Sequence, residues 1–275
     1  MLFNLFKKKE KASKNNQYID SYKKKHDNPK VAARKGEIGE YKIDIQLSQL
    51  PKEYRYLNDI MIENPKSISS YSQIDHLVIT PYGIFGIETK NYQGTIYGGK
   101  DRKTWLVNGK FKMLSPIIQN YGHIEALKKY IDKKYHEKFI SIVSFTKRCT
   151  LKIDFELRDI HSDELVIYDI YLIESINRKV SILKMKHKEP LLTEKDQLAI
   201  FNALMKANII DPKAREAHTT RIKEKKKTNN GIINNSKCVV CNQAVSQKVA
   251  IYCLSNKKFN GKIYCYDHQK LNDKC

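Results

Sequence analysis

The 275-residue chain has no window that stays apolar for the length of a membrane span. Its opening MLFNLFKKKEK carries an apolar patch of six residues before the lysines, too short to span and lacking the long apolar centre of a signal peptide. A soluble cytoplasmic protein without a transmembrane segment is therefore expected, with surface anchoring through residues 1–12 as the membrane-associated alternative. There is no Gly-rich phosphate loop, which argues against a nucleotide-binding sheet, and no internal repeat. Negative charge is also scarce: 30 Asp plus Glu face 51 Lys plus Arg, leaving a formal net charge of +21. Such a field attracts phosphate backbones, so nucleic acid is the first partner class and an anionic membrane the second. Six cysteines without an export signal point to thiols and metal sites before disulfides.

What is present is globular, with 41% apolar residues and 10% aromatics. Residues 1–30, rich in Lys, Asn and Ser, read as a disordered basic leader ending at Asn28-Pro29. A main domain is expected over 31–210. Ala33, Ile38, Tyr41, Ile45 and Leu47 recur at helical spacing and predict a helix that stops before Pro51. Gly36 and Gly39 inside it each cost about 1 kcal/mol relative to Ala and so require a packing or functional reason. Three extended segments follow, YRYLNDIMIE, SQIDHLVIT and GIFGIETKN, separated by turn signals. A ribbon is expected around Gly94–Trp105. SPIIQNYGHIEALKKYIDKKY then reads as a helix capped by Ser115 with Pro116 first, FISIVSFT as a buried strand, and 165–176 as a strand or a strand entering a helix. LLTEKDQLAIFNALMKANI is an amphipathic helix with Thr193 and Asp196 at its start. This order specifies an α/β fold, a mixed sheet flanked by helices. Residues 211–237 lose the apolar pattern and read as a basic linker, and 238–275 form a small Cys-rich module.

Two apolar runs in 72–94 carry Asp75, Glu88 and Lys90, whose burial unpaired would cost several kcal/mol. Glu88 and Lys90 are two apart and share a strand face. A two-residue turn at Tyr82-Gly83 would set Asp75 opposite Lys90, and splayed strand ends would also let the three converge. Paired carboxylates repel unless a cation intervenes, and their hard oxygens suit Mg2+ or Mn2+. His76 beside them points to the other strand face and reads as a half-buried structural histidine. Trp105 and the tyrosines read mainly as core or interface residues.

Asp75, then Glu88-Thr89-Lys90, between two helices, resembles the D…E-x-K signature of restriction-endonuclease-like nucleases. The wider string is similar to the nuclease-related domain family, NERD: GEIGE at 36–40, LNDIMI at 57–62, QIDHLVITPYGIFGIETKNYQG at 73–94, Trp105, and SPIIQNYGHIEAL at 115–127. The resemblance covers roughly residues 34–145; its one departure is Ser115-Pro116 where the family usually has Asn-Pro. It implies a restriction-endonuclease-like fold in which Asp75 and Glu88 bind Mg2+ or Mn2+ and Lys90 assists the attacking water. Glu37, Glu40 and Gln119 match the family's auxiliary positions. The implied function is metal-dependent hydrolysis of DNA phosphodiester bonds, with RNA as a further substrate class. The competing expectation is a non-catalytic nucleic-acid-binding adaptor that recruits a helicase or another nuclease.

In the tail, Cys238-x2-Cys241 and Cys265-x2-His268 are two knuckle-like pairs 24 residues apart, the spacing of a tetrahedral Cys3His site for structural Zn2+. A segment this short lacks a sufficient core, so metal would supply much of its folding free energy. Cys253 has no partner at knuckle spacing and is left outside the site; Cys149 and Cys275 read as free thiols. The module resembles zinc ribbons appended to DNA-handling proteins, and Lys237, Lys248, Lys257, Lys258 and Lys262 fit a nucleic-acid contact or a solvated surface.

Overall fold

The computed structural model describes residues 29–234 and 236–271. The expected leader therefore lies almost wholly outside the described residues, as does Cys275. The described residues form two compact units, 29–64 with 72–209 and 65–71 with 210–271.

In the first unit, helix α1 (Pro29–Leu47) is followed by strands β1 (Arg55–Glu63), β2 (Tyr71–Thr80) and β3 (Gly83–Lys90). Three short strands come next, β4 (Gly94–Tyr97), β5 (Thr104–Val107) and β6 (Phe111–Leu114), and then helix α2 (Pro116–Leu127). Strands β7 (Phe139–Phe145), β8 (Cys149–Lys152) and β9 (Glu164–Tyr168) lead to helices α3 (Leu172–Lys186) and α4 (Glu194–Ala207). The main sheet is ordered β1-β2-β3-β7-β9, with β2 antiparallel and β7 parallel to β3. β3 is central and covered on both faces, which is why GIFGIETK reads as a nearly unbroken apolar run. One face packs Leu77, Ile79 and Ile84 against Leu127 of α2 and Ile200 and Leu204 of α4. The other packs Val78, Phe85 and Ile87 against Ile43 and Leu47 of α1 and Leu172 and Ile176 of α3. The result is the expected mixed α/β layering.

The β2–β3 turn differs from the expected one. Thr80 pairs with Gly83, so the turn is Pro81-Tyr82, and the position opposite Asp75 becomes Glu88 instead of Lys90. Thr80 fastens this turn, its hydroxyl donating to Gly83 O at 3.1 Å and accepting from Tyr82 N at 3.2 Å. Gly83 opens the strand close against β7, where a Cβ would lie 2.8 Å from Ile140 Cδ1. The side-chain parity survives the shift, since both registers leave Asp75 on the face shared by Glu88 and Lys90.

The expected ribbon is larger than its sequence signal. β4, β5 and β6 join β8 in a second sheet ordered β6-β5-β4-β8. Trp105 is fully buried beneath it, stacked on Phe145 with ring centroids 6.3 Å apart, its indole N–H donating to Gly99 O at 3.1 Å. It is a core residue. Ser115 occupies the N-cap position of α2 with Pro116 following, but its side chain makes no capping bond; Thr193 and Asp196 do form a reciprocal capping box on α4.

In the second unit, helix α5 (Pro212–Asn234) occupies most of the segment expected as a basic linker. The segment lacks apolar periodicity, yet Lys, Arg, Glu and Ala favour helix, and the helix is tied down by polar bonds. His218 Nδ1 lies 2.8 Å from Ser69 Oγ, and Arg221 donates to Ser69 O at 3.1 Å. Helices α6 (Gln247–Ser255) and α7 (Tyr266–Leu271) complete the described chain.

Candidate active site

The ladder between β2 and β3 ends at His76–Ile87. One residue further the Asp75 side chain takes over, its Oδ2 accepting the Thr89 backbone N–H at 2.7 Å. This places Asp75 at the mouth of the splayed pair, half-buried, beside Glu88, which is 2% exposed. Lys90, on the same face of β3, donates to Glu88 Oε1. The three residues singled out in the sequence are thus assembled by one hairpin.

Helix α2 supplies the opposite wall. Asn120 anchors it, its amide donating to Gly86 O at 2.9 Å and Ser141 Oγ at 2.8 Å. That fixes its neighbour Gln119, which donates to Glu88 Oε1 at 2.7 Å and accepts from Lys90 Nζ at 3.0 Å. One turn on, His123 brings Nδ1 to 3.2 Å from Glu88 Oε2, within ion-pair distance and near enough to lower the Glu88 pKa, but off the line of a well-formed hydrogen bond. His123 was not singled out in the sequence. Its signal was there, four residues after Gln119 on one helix face.

Helix α1 contributes from the other side of the sheet. Gly39 is buried, and a Cβ there would meet Asn91 Cβ at 3.3 Å and Thr89 Cγ2 at 3.4 Å, so this glycine admits α1 to the end of β3. Glu40 is consequently half-buried and feels Glu88, whereas Glu37 is exposed and adds its charge to those acting on Glu40. His76 is buried on the face away from Asp75, its Nδ1 2.8 Å from Asn58 Oδ1, and Asn58 donates to Asp44. Burial lowers its pKa to about 4, which makes it a neutral structural histidine.

The electrostatics divide the groups. Burial and then the Glu88 charge hold the Asp75 carboxyl well above the usual range, against the pull of the Thr89 amide. Burial, Asp59 and Glu88 likewise raise Glu40. For Glu88 burial acts upward, but Lys90 and then His123 outweigh it and hold the group below its ordinary value. Lys90 is raised by Glu88 in spite of burial and stays charged. Lys90 is thus the positive charge that acts on all three carboxylates. The crowding of Asp75, Glu88 and Glu40, with Glu88 Oε2 buried and unbonded, fits a site for a hard divalent ion.

The second sheet has an outward face close in chain to this site. Its register aligns Lys112, Leu106, Tyr97 and Lys152 in one row across four strands, and the flanking outward residues are threonines and Leu114. The eight outward positions on these strands include no acidic residue.

A separate cluster lies in the second unit. The ligand atoms of Cys238, Cys241, Cys265 and His268 all fall within 4.8 Å of one another, with Cys265 Sγ 3.0 Å from His268 Nδ1 and Cys241 Sγ 3.7 Å from Cys265 Sγ. Three sulfurs and an imidazole in this span match a structural zinc set. The backbone N–H groups around Cys238 and its neighbouring thiols lower its pKa to about 6 despite burial, which favours the thiolate a metal requires. Cys253 stands outside the quartet, fully buried, accepting from Gln269 Nε2 at 3.2 Å. Cys149 is a buried free thiol whose pKa burial pushes up to about 11.

Residues 35–146 match the family described as NERD, nuclease-related domain. An uncharacterized protein of Bacillus anthracis, pXO1-01, is 31% identical over 212 residues that span 75% of this chain and 91% of that protein. Among solved structures, the crystal structure of a protein of unknown function, AF1548, aligns over 61% of this chain and 95% of that chain at 10% identity and a TM-score of 0.26.

Proposed function

The chain belongs to the nuclease-related domain family, and from that premise we propose that it is a metal-dependent nuclease that hydrolyses DNA phosphodiester bonds. The observation that carries this reading is the assembly at one strand end of two crowded carboxylates, Asp75 and Glu88, with a lysine held in its charged form. Asp75 and Glu88 would hold Mg2+ or Mn2+. The bound ion would supply a water of lowered pKa and neutralise charge on the phosphodiester. Lys90, kept protonated by Glu88 and aimed by Gln119, is a poor base; its role is to orient the attacking water and offset negative charge developing on the phosphate oxygens. Glu40, raised by burial and by the charges of Asp59 and Glu88, borders the cluster as an auxiliary carboxyl. The net charge of +21 and the acid-free row of Lys112 and Lys152 supply salt-sensitive affinity for the backbone. The Cys238, Cys241, Cys265 and His268 quartet would hold a structural Zn2+.

The test is incubation of labelled linear and circular DNA with the protein in Mg2+, Mn2+ or EDTA, beside Asp75→Ala and Lys90→Ala. Cleavage should need the ion and drop at least about a hundredfold in either variant. Variants that cut at the wild-type rate would refute the proposed centre. DNA binding with no cutting in either ion would replace it with the adaptor reading; the same assay on RNA separates the two substrates.

A further inference from the structure

We propose that His123 is a nitrogen ligand of the ion held by Asp75 and Glu88, and that it tilts the site toward Mn2+ over Mg2+. This rests on the reading of Asp75 and Glu88 as a metal site and goes beyond it by naming a third ligand and the preferred ion.

Helix α2 presents Gln119 and His123 one turn apart to the same carboxylate. Gln119 and Lys90 both bond Glu88 Oε1, so that oxygen is taken. Oε2 faces His123 Nδ1 at 3.2 Å, and neither atom has a hydrogen-bond partner among the described residues. A donor serving only as the carboxylate's hydrogen-bond partner would line up its N–H on the oxygen, because a buried polar atom left without a well-formed bond costs about 1–3 kcal/mol. Two such atoms facing each other out of line are instead positioned as neighbouring ligands. At bonds of about 2.1 Å to an octahedral ion, adjacent donor atoms sit about 3 Å apart. The observed separation agrees with that spacing. On the far side of the cluster the Thr89 amide takes Asp75 Oδ2, which leaves Oδ1 as the Asp75 oxygen available to the ion.

The donor set then fixes the preference. Carboxylate oxygens serve Mg2+ and Mn2+ alike, but Mg2+ gives up water reluctantly and prefers an all-oxygen shell, whereas imidazole nitrogen favours first-row transition ions. With His123 in the shell, Mn2+ gains a bond for which Mg2+ has little use. Without it the two ions would see much the same site.

The experiment uses the full chain with its cysteine quartet already loaded with zinc, so that His268 is occupied. Mn2+ is titrated while the free-ion electron paramagnetic resonance signal is followed, with and without competing Mg2+, for wild type, Asp75→Ala and His123→Gln. Electron spin-echo modulation of the bound Mn2+ then reports directly coordinated 14N. The expected result is a site abolished by Asp75→Ala, with 14N modulation in wild type that disappears in His123→Gln. Mn2+ affinity should fall at least about tenfold in that variant, since loss of even an outer-shell partner costs that much, while Mg2+ affinity changes less, so the preference for Mn2+ shrinks. Mn2+ bound in wild type without 14N modulation overturns the inference and leaves the carboxylate site standing. Absence of any Mn2+ binding sensitive to Asp75→Ala sinks the carboxylate site, and this inference with it. The wild-type spectrum decides the ligand even if His123→Gln folds poorly.

Discussion

Asn120 is fully buried between α2 and the sheet, and it carries the alignment of both Gln119 and His123. Its amide donates to Gly86 O and Ser141 Oγ, while its own Oδ1 has no hydrogen-bond partner among the described residues. Asn120→Ala removes the two short hydrogen bonds, worth about 1 kcal/mol each, with the longer one to Ile142 O at 3.4 Å, and opens a small cavity, but it also removes the unbonded oxygen, so the net cost is about 1–3 kcal/mol. Asn120→Asp keeps the volume and is worse. A carboxylate has no donor to offer Gly86 O, so it must either ionise in a buried site or spend its one proton there, at about 3–5 kcal/mol. For a unit of this size each kcal/mol lowers Tm by about 2–4 °C, so Asn120→Asp should melt roughly 6–20 °C below wild type and clearly below Asn120→Ala. The assay is urea and thermal unfolding followed by Trp105, the only tryptophan, which is fully buried in the same unit. If Asn120→Asp is as stable as Asn120→Ala, the amide is not the clamp that sets α2, and the account of how Gln119 and His123 are aimed fails with it.

Acid should act through His76: its pKa of about 4 lies below the ordinary 6.5, so the unfolded chain takes up the proton first. Stability is therefore full above pH 6.5 and drops by about 3 kcal/mol toward pH 4, a slope that His76→Gln should lack in urea titrations at pH 7 and 4.5. Lys112→Glu with Lys152→Glu should weaken DNA binding and reduce the slope of log affinity against log salt by about 2, read by fluorescence anisotropy; an unchanged slope would remove the second sheet from the interface. Stripping metal from Cys238, Cys241, Cys265 and His268 should release one zinc per chain and unfold the tail, seen as loss of amide protection there while Trp105 emission holds; a protected zinc-free tail would contradict the assignment.

Side-chain parity explains why so much of the centre was legible. Glu88 and Lys90 share a face in any strand register, and Asp75 joins them in either of two turns, so shifting the turn to Pro81-Tyr82 changed its partner and not its face. The cysteine pairs were legible for the same reason, because knuckle spacing is set locally by bond geometry. The α5 helix was not, since it has no apolar stripe and depends on His218 and Arg221 finding Ser69 across about 150 residues of chain.

The sequence by itself determined the strand alternation, the helices on either side of the acidic hairpin, the charge and the metal-ligand spacings, all of which follow from composition or from periodicities within a few residues. Only the tertiary structure decided that Gly39 admits α1 to the strand end, that Trp105 is core and not interface, and that His123 meets Oε2 of Glu88. The reason is physical: those contacts are fixed by how closely helices approach a sheet, and that distance is set by the packing of residues far apart in the chain.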